Sequence, residues 1–179
     1  MSDESTTKLI EGLNNEYYKL VGIVGDFDKN LLIIKGWGVT FSLVALAGGF
    51  QQEHYGLFLI ACISGLAFWI IEGAIKRHQM RFYVRMREIE VINFELTKSI
   101  LSDGSEVSTP QIDWSWRIAK EYFTGKYTGV PPHPKRYEKN PSYSLVWFFP
   151  HVAMPHIVIV IAGGILFILG FSGGLNFPL

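Results

Sequence analysis

Between residues 145 and 171 the chain carries no Lys, Arg, Asp or Glu, and its only titratable side chains there are His151 and His156. Two earlier stretches are nearly as bare: 31–50 holds one charged residue, Lys35, and 57–75 holds one, Glu72. Each run approaches or exceeds the roughly 20 apolar residues that carry a helix across about 30 Å of hydrocarbon. A soluble domain can bury one such helix. Three in 179 residues would leave too little polar surface to cover them. The fold class expected is therefore an all-α polytopic membrane protein, with three transmembrane helices and a small helical cytoplasmic module.

The first thirty residues contain six acidic side chains and no short apolar core ahead of a small-residue cleavage site, so no cleaved leader is expected. The single cysteine, Cys62, lies in the second run and excludes an internal disulfide or a cysteine-based zinc site.

Lys and Arg are unevenly placed. Lys8, Lys19 and Lys29 precede the first run, the 51–56 hairpin has none, twelve fall in 76–142, and none follows the third run. Positive charge stays on the cytoplasmic side. The expected order is a cytoplasmic amphipathic N-terminal helix at 1–30, spans at 31–50 and 57–75 joined by a short external loop at 51–56, a cytoplasmic module at 76–142, a kinked third span at 143–171 and an external tail at 172–179. The localisation expected is the cell inner (plasma) membrane, multi-pass, with the N-terminus cytoplasmic and the C-terminus external.

The stretch WIIEGAIKRHQMRFYVRMR leaves the second run through a cluster of basic side chains. Lys76, Arg77, Arg81, Arg85 and Arg87 are expected to anchor the helix among anionic headgroups, each adding about 1 kcal/mol near such a surface. The 76–142 segment carries twelve basic and eight acidic residues and no nucleic-acid-binding motif, which argues against nucleic acid as a partner.

Phe82, Met86, Ile89, Asn93 and Leu96 recur at four- and three-residue spacing. The second helix is thus expected to continue past the membrane with one apolar stripe, which needs either a neighbouring segment or another subunit. Phe82, Met86, Ile89 and Leu96 are assigned to an oligomer contact on this ground. Upstream, Ile10, Leu13, Tyr17, Leu20, Val21, Val24, Phe27 and Leu31 form a second apolar face, with too few basic residues opposite to favour lipid binding. Gly22 and Gly25 argue against an unbroken helix there. A further helix over 110–123, started by Pro110, and a proline-rich return over 126–143 complete the module.

The polar residues at membrane depth are the candidate functional ones, because placing an ionisable group there is costly. Antiparallel crossing of the first two spans brings Lys35 and Glu72 to similar depth. They form either a structural ion pair with Lys35 reaching outward, or part of an ion path. His151 and His156 are five residues apart and diverge on a helix, so they do not chelate one metal together. They serve as hydrogen-bonded structural groups, pore-lining or pH-sensitive groups, or a metal or haem ligand. Pro155 frees a backbone carbonyl about four residues upstream. Gly36, Gly38, Gly48, Gly49, Ala61, Gly65 and Ala162 to Gly164 allow close helix contacts.

Nucleotide-binding, zinc-hydrolase, serine-hydrolase and calcium-loop motifs are absent, so neither an enzyme nor a bound cofactor is expected. The function expected is an oligomeric integral membrane protein that forms or regulates an ion-conducting pore, with a cytoplasmic sensing or assembly module. The alternative is a non-conducting scaffold or accessory subunit that recruits a cytoplasmic partner. The partners expected are the lipid bilayer, further copies of the chain, and a cytoplasmic protein or small ligand.

Overall fold

The computed structural model of the chain describes residues 3–97, 99–100, 106–107, 123, 125 and 145–175. Three long helices dominate: α1 (Asp3–Gln51), α2 (Gly56–Thr97) and α3 (Pro150–Phe171). All three are long and apolar enough to cross a membrane. A two-residue antiparallel pairing, β1 (Ser99–Ile100) with β2 (Glu106–Val107), follows α2. A 3-10 turn at Val146–Phe148 leads into α3. The helix expected over 110–123, the 126–143 return and tail residues 176–179 lie largely or wholly outside the described residues.

The amphipathic segment and the first span are one helix of 49 residues, with no break at Gly22 or Gly25. Glycine costs about 1 kcal/mol relative to alanine inside a helix. Packing on both sides of these positions offsets that cost, since Tyr17, Val24 and Leu31 are all buried. The end of α1 is set by the backbone. The amide of Gln52 donates to the Gly48 carbonyl at 2.8 Å and that of His54 to Gly49 at 3.0 Å, while Glu53 takes the left-handed conformation at φ 51°. This is the usual way to satisfy the last carbonyls of a helix. It turns the chain into α2 within four residues.

The chain divides into two compact units. One contains residues 26–78 and 141–179, that is, the second half of α1, the first half of α2, and α3. Small residues set its helix spacing. A Cβ on Gly163 of α3 would stand 2.9 Å from the Phe58 carbonyl oxygen and 3.0 Å from the Cys62 amide nitrogen of α2. The two backbones touch there, as small residues allow between membrane helices. Gly38 and Gly49 of α1 meet the rings of Phe68 and Phe58, Gly73 meets Trp147, and Gly170 meets Tyr55. The paired numbers fall on one helix as they rise on the other, so α1, α2 and α3 alternate in direction.

The other unit contains residues 1–25 and 79–140. Its described core joins Leu13, Tyr17 and Val24 of α1 to Met86 and Ile89 of α2, with Leu20, Val21, Phe82, Tyr83, Ile92 and Leu96 against them. The apolar stripe of α2 is therefore covered by the apolar face of α1 in the same chain. The assignment of Met86 and Ile89 to an oligomer contact is corrected accordingly, while Phe82 and Leu96 are only partly buried against this core. Met86 and Ile89 are wholly enclosed, and they have no surface left to offer a second copy. The physical reason is complementarity: each face lacked a partner in the sequence, and the short 51–56 turn makes each the other's neighbour.

Polar contacts run alongside that core. Asn93 Nδ2 donates to Asn14 Oδ1 at 2.9 Å, Gln79 Nε2 donates to the Val24 carbonyl at 3.0 Å, and Arg85 clasps Glu16 through Nε at 2.7 Å and Nη2 at 2.8 Å. The Arg85 hydrogen bonds hold the Glu16 carboxyl below the usual carboxylate range, and the carboxylates raise the guanidinium in turn. The pair is substantially exposed, so screening keeps it below about 1 kcal/mol. A depressed carboxylate stabilises the fold above its ordinary value and loses that effect as pH falls through the folded value. Glu16→Gln is therefore expected to lower stability by less than about 1 kcal/mol near neutral pH. The same substitution should flatten the acid side of the stability profile below about pH 4. Denaturant titrations across pH check both.

Candidate functional site

Three ionisable side chains, one from each membrane-length helix, meet inside the unit of residues 26–78 and 141–179. Lys35 of α1 places Nζ 2.8 Å from Glu72 Oε1 of α2, and His156 Nε2 of α3 lies 2.8 Å from Glu72 Oε2. Glu72 is 2 % exposed and His156 is fully buried, while the Lys35 side chain keeps 26 % of its surface. Both carboxylate oxygens are thus engaged, one by each flanking helix.

A fourth group completes the cluster. Lys35 Nζ also donates to the His151 carbonyl at 2.5 Å. Pro155 lies inside α3 and has no N–H, so the carbonyl four residues back, His151, has no helical partner. Lysine supplies the donor that proline removes. Locally, Phe149 precedes the helix in extended conformation, Pro150 occupies its first turn, and the chain stays helical through Phe171. A buried carbonyl without a hydrogen-bond partner is costly, so a cation at this position serves the helix as well as the carboxylate.

Glu72 as an anion flanked by two donors fixes the hydrogen placement. Lys35 has only donors, and a carboxylate has only acceptors. His156 must therefore donate Nε2–H to Oε2. In the neutral imidazole this leaves Nδ1 as a bare acceptor, and Nδ1 is buried without a hydrogen-bond partner. The neutral arrangement sums to zero charge, which is what a low-dielectric setting tolerates.

The surroundings brace the cluster. Trp69 Nε1 donates to the Trp147 carbonyl at 2.8 Å, its ring meets Phe148 edge-on, and Trp147 fills the space above Gly73, next to Glu72. Lys76 reaches Asp28 at 3.4 Å. His151 points away from His156: it is exposed, tilted on Phe149 at 5.6 Å between ring centroids.

Lys35, Glu72 and His156 are therefore brought together, with His151 joining only through its carbonyl. The basic cluster is scattered. Arg77 and Arg81 are exposed, Lys76 faces Asp28, and Arg85 holds Glu16 and Glu88. Arg87 departs from its expected place among the anchors. Its side chain is 1 % exposed and its Nη1 donates to Glu90 at 2.9 Å, with Tyr17 Oη donating to the same carboxylate at 2.5 Å. An arginine enclosed in this way reaches no headgroup. The Arg87–Glu90–Tyr17 group was missed in the sequence, although a basic and an acidic residue three apart on a helix can pair.

Both imidazoles were candidates for a metal or haem. Among the described residues no three His, Cys, Asp or Glu side chains converge as a ligand set. Comparison with protein-family models, with curated proteins and with solved structures finds no match to this chain.

Proposed function

We propose that this chain is a non-conducting accessory or scaffold subunit of a membrane, with its N-terminus and the 76–142 segment in the cytoplasm, where it engages a partner. One observation carries the choice over a pore: both oxygens of Glu72 are used to join α1 and α3 to α2 within one chain. Ionisable groups that line an ion path face water or a shared axis; here they are spent on helix attachment. The original case for a homo-oligomer is also reduced, because the stripe that called for a second copy is covered by α1. The orientation rests on the distribution of Lys and Arg.

The pore-forming or pore-regulating reading keeps one supporting observation. Lys35 retains 26 % exposure and uses two of its three N–H donors, so its charge is not fully enclosed. Ion flux into vesicles reconstituted with the purified chain separates the two. The scaffold reading expects flux equal to that of protein-free vesicles. Flux that is abolished by Lys35→Met would overturn it in favour of a pore.

A further inference from the structure

We propose that the outward side of Lys35 and the imidazole of His151 bind the phosphodiester of one phospholipid, whose acyl chain lies along α3. The surface presents only half of the buried ion pair. Glu72 is 2 % exposed with both oxygens engaged, whereas the Lys35 side chain keeps 26 % of its surface. The carboxylate is hidden and the ammonium is shown. Two Lys35 N–H donors go to Glu72 and to the His151 carbonyl, which leaves the third for an acceptor outside the helices. A phosphate oxygen, anionic and a strong acceptor, suits an ammonium donor. Across 31–50, 57–75 and 145–171, Lys35 is the one permanently charged side chain that reaches the surface.

His151 supplies the second donor. Its carbonyl receives Lys35 Nζ, and its own imidazole is exposed beside that contact, with the Phe149 ring 5.6 Å away between centroids. A neutral imidazole carries one N–H, enough to donate to a phosphate oxygen with no change of charge. Lys76 and Asp28 also lie within electrostatic reach of His151, but they pair at 3.4 Å and largely offset each other. Attraction for an anion therefore comes from Lys35.

A free anion needs only these donors; the stripe beyond them selects a lipid. His151, Met154, Val158, Ile161, Ile165 and Ile168 follow at spacings of three and four, and all are exposed. Such spacing lines one face of a helix. From His151 to Ile161 the rise is about 15 Å at 1.5 Å per residue, half of a hydrocarbon core about 30 Å thick. Two donors at the head of one leaflet's length of apolar side chains match the outline of a phospholipid. The distribution of Lys and Arg puts that head in the cytoplasmic leaflet. The site rests on the membrane reading above, and not on whether the chain conducts.

Native mass spectrometry of the full chain released from phosphatidylglycerol nanodiscs tests this by counting the lipids it retains. His151→Leu keeps the backbone carbonyl that Lys35 uses and removes only the imidazole. It should weaken retention of the tightest lipid about tenfold, the worth of one hydrogen bond to a charged group. His151→Gln restores a donor and should recover most of the loss. Lys19→Gln, an exposed change in the other unit, should retain lipid as the parent does. Equal retention by the parent and His151→Leu would overturn the proposal. An equal loss in Lys19→Gln would overturn it too, in favour of diffuse surface charge. Glycerol phosphate in large excess has the head without the chain and should leave the lipid in place; displacement would contradict a lipid site and show one for free anions. A chain that does not enter nanodiscs would overturn the membrane reading and this site with it, whereas failed retention alone leaves that reading standing.

Discussion

Glu72→Ala is expected to lower the stability of the detergent-solubilised protein by about 3 kcal/mol or more, the usual cost of removing one partner from a buried ion pair. The size follows from what is left behind. Lys35 would face the His151 carbonyl alone, and His156 Nε2–H would join Nδ1 as an unpaired group at membrane depth. Neutral hydrogen bonds between membrane helices contribute about 0.6 kcal/mol on average; this one is charged, doubly used and enclosed, so the larger figure applies. Glu72→Gln should fall between parent and alanine. Its amide oxygen can accept from Lys35, but its NH2 then faces a histidine that must switch tautomer to receive it. Unfolding by steric trapping or by SDS titration, read for all three proteins, gives the order.

Gly163→Leu should cost at least about 3 kcal/mol, at or beyond the upper end of ordinary overpacking. The atoms in the way are the Phe58 carbonyl and the Cys62 backbone, and neither can rotate aside as a side chain would. The α2 and α3 axes must move apart, and Glu72 and His156 would separate with them. Gly164→Leu is the control. Nothing lies within 4 Å of a Cβ there, and the change should stay within about 1 kcal/mol of the parent. Equal losses at the two neighbours would show that helix propensity or insertion, not backbone contact, sets the cost.

Much of the apolar three-helix unit was legible in the sequence because charge is so scarce in it. Lys35 and Glu72 stand out as single ions in their runs, and antiparallel helices bring them level. Pro155 also announces a missing hydrogen bond near His151. What could not be read was the direction of His156. Five residues of separation place it away from His151, yet nothing local says that it meets Glu72 rather than lipid. Nor does any short-range signal say that Lys35 answers Pro155, a contact across 116 positions.

Outside the apolar runs the two helical faces were both visible by spacing, and only their mutual pairing was not. Gly22 and Gly25 misled because propensity counts the local cost and not the tertiary contacts of Tyr17, Val24 and Leu31. Arg87 misled for a related reason. A run of basic residues at a membrane exit reads as one anchor, but a helix turns by 100° per residue. Arg77 and Arg81 consequently reach outward, while Arg87 is carried round to Glu90 and Tyr17.

The central claim is that a single carboxylate holds α1 and α3 to α2. Double-mutant cycles of Glu72→Leu with Lys35→Met, and of Glu72→Leu with His156→Leu, test it most directly when stability is measured in bicelles. Coupling above about 1 kcal/mol is expected in both cycles. Additive losses, within about 0.5 kcal/mol in either one, would contradict it.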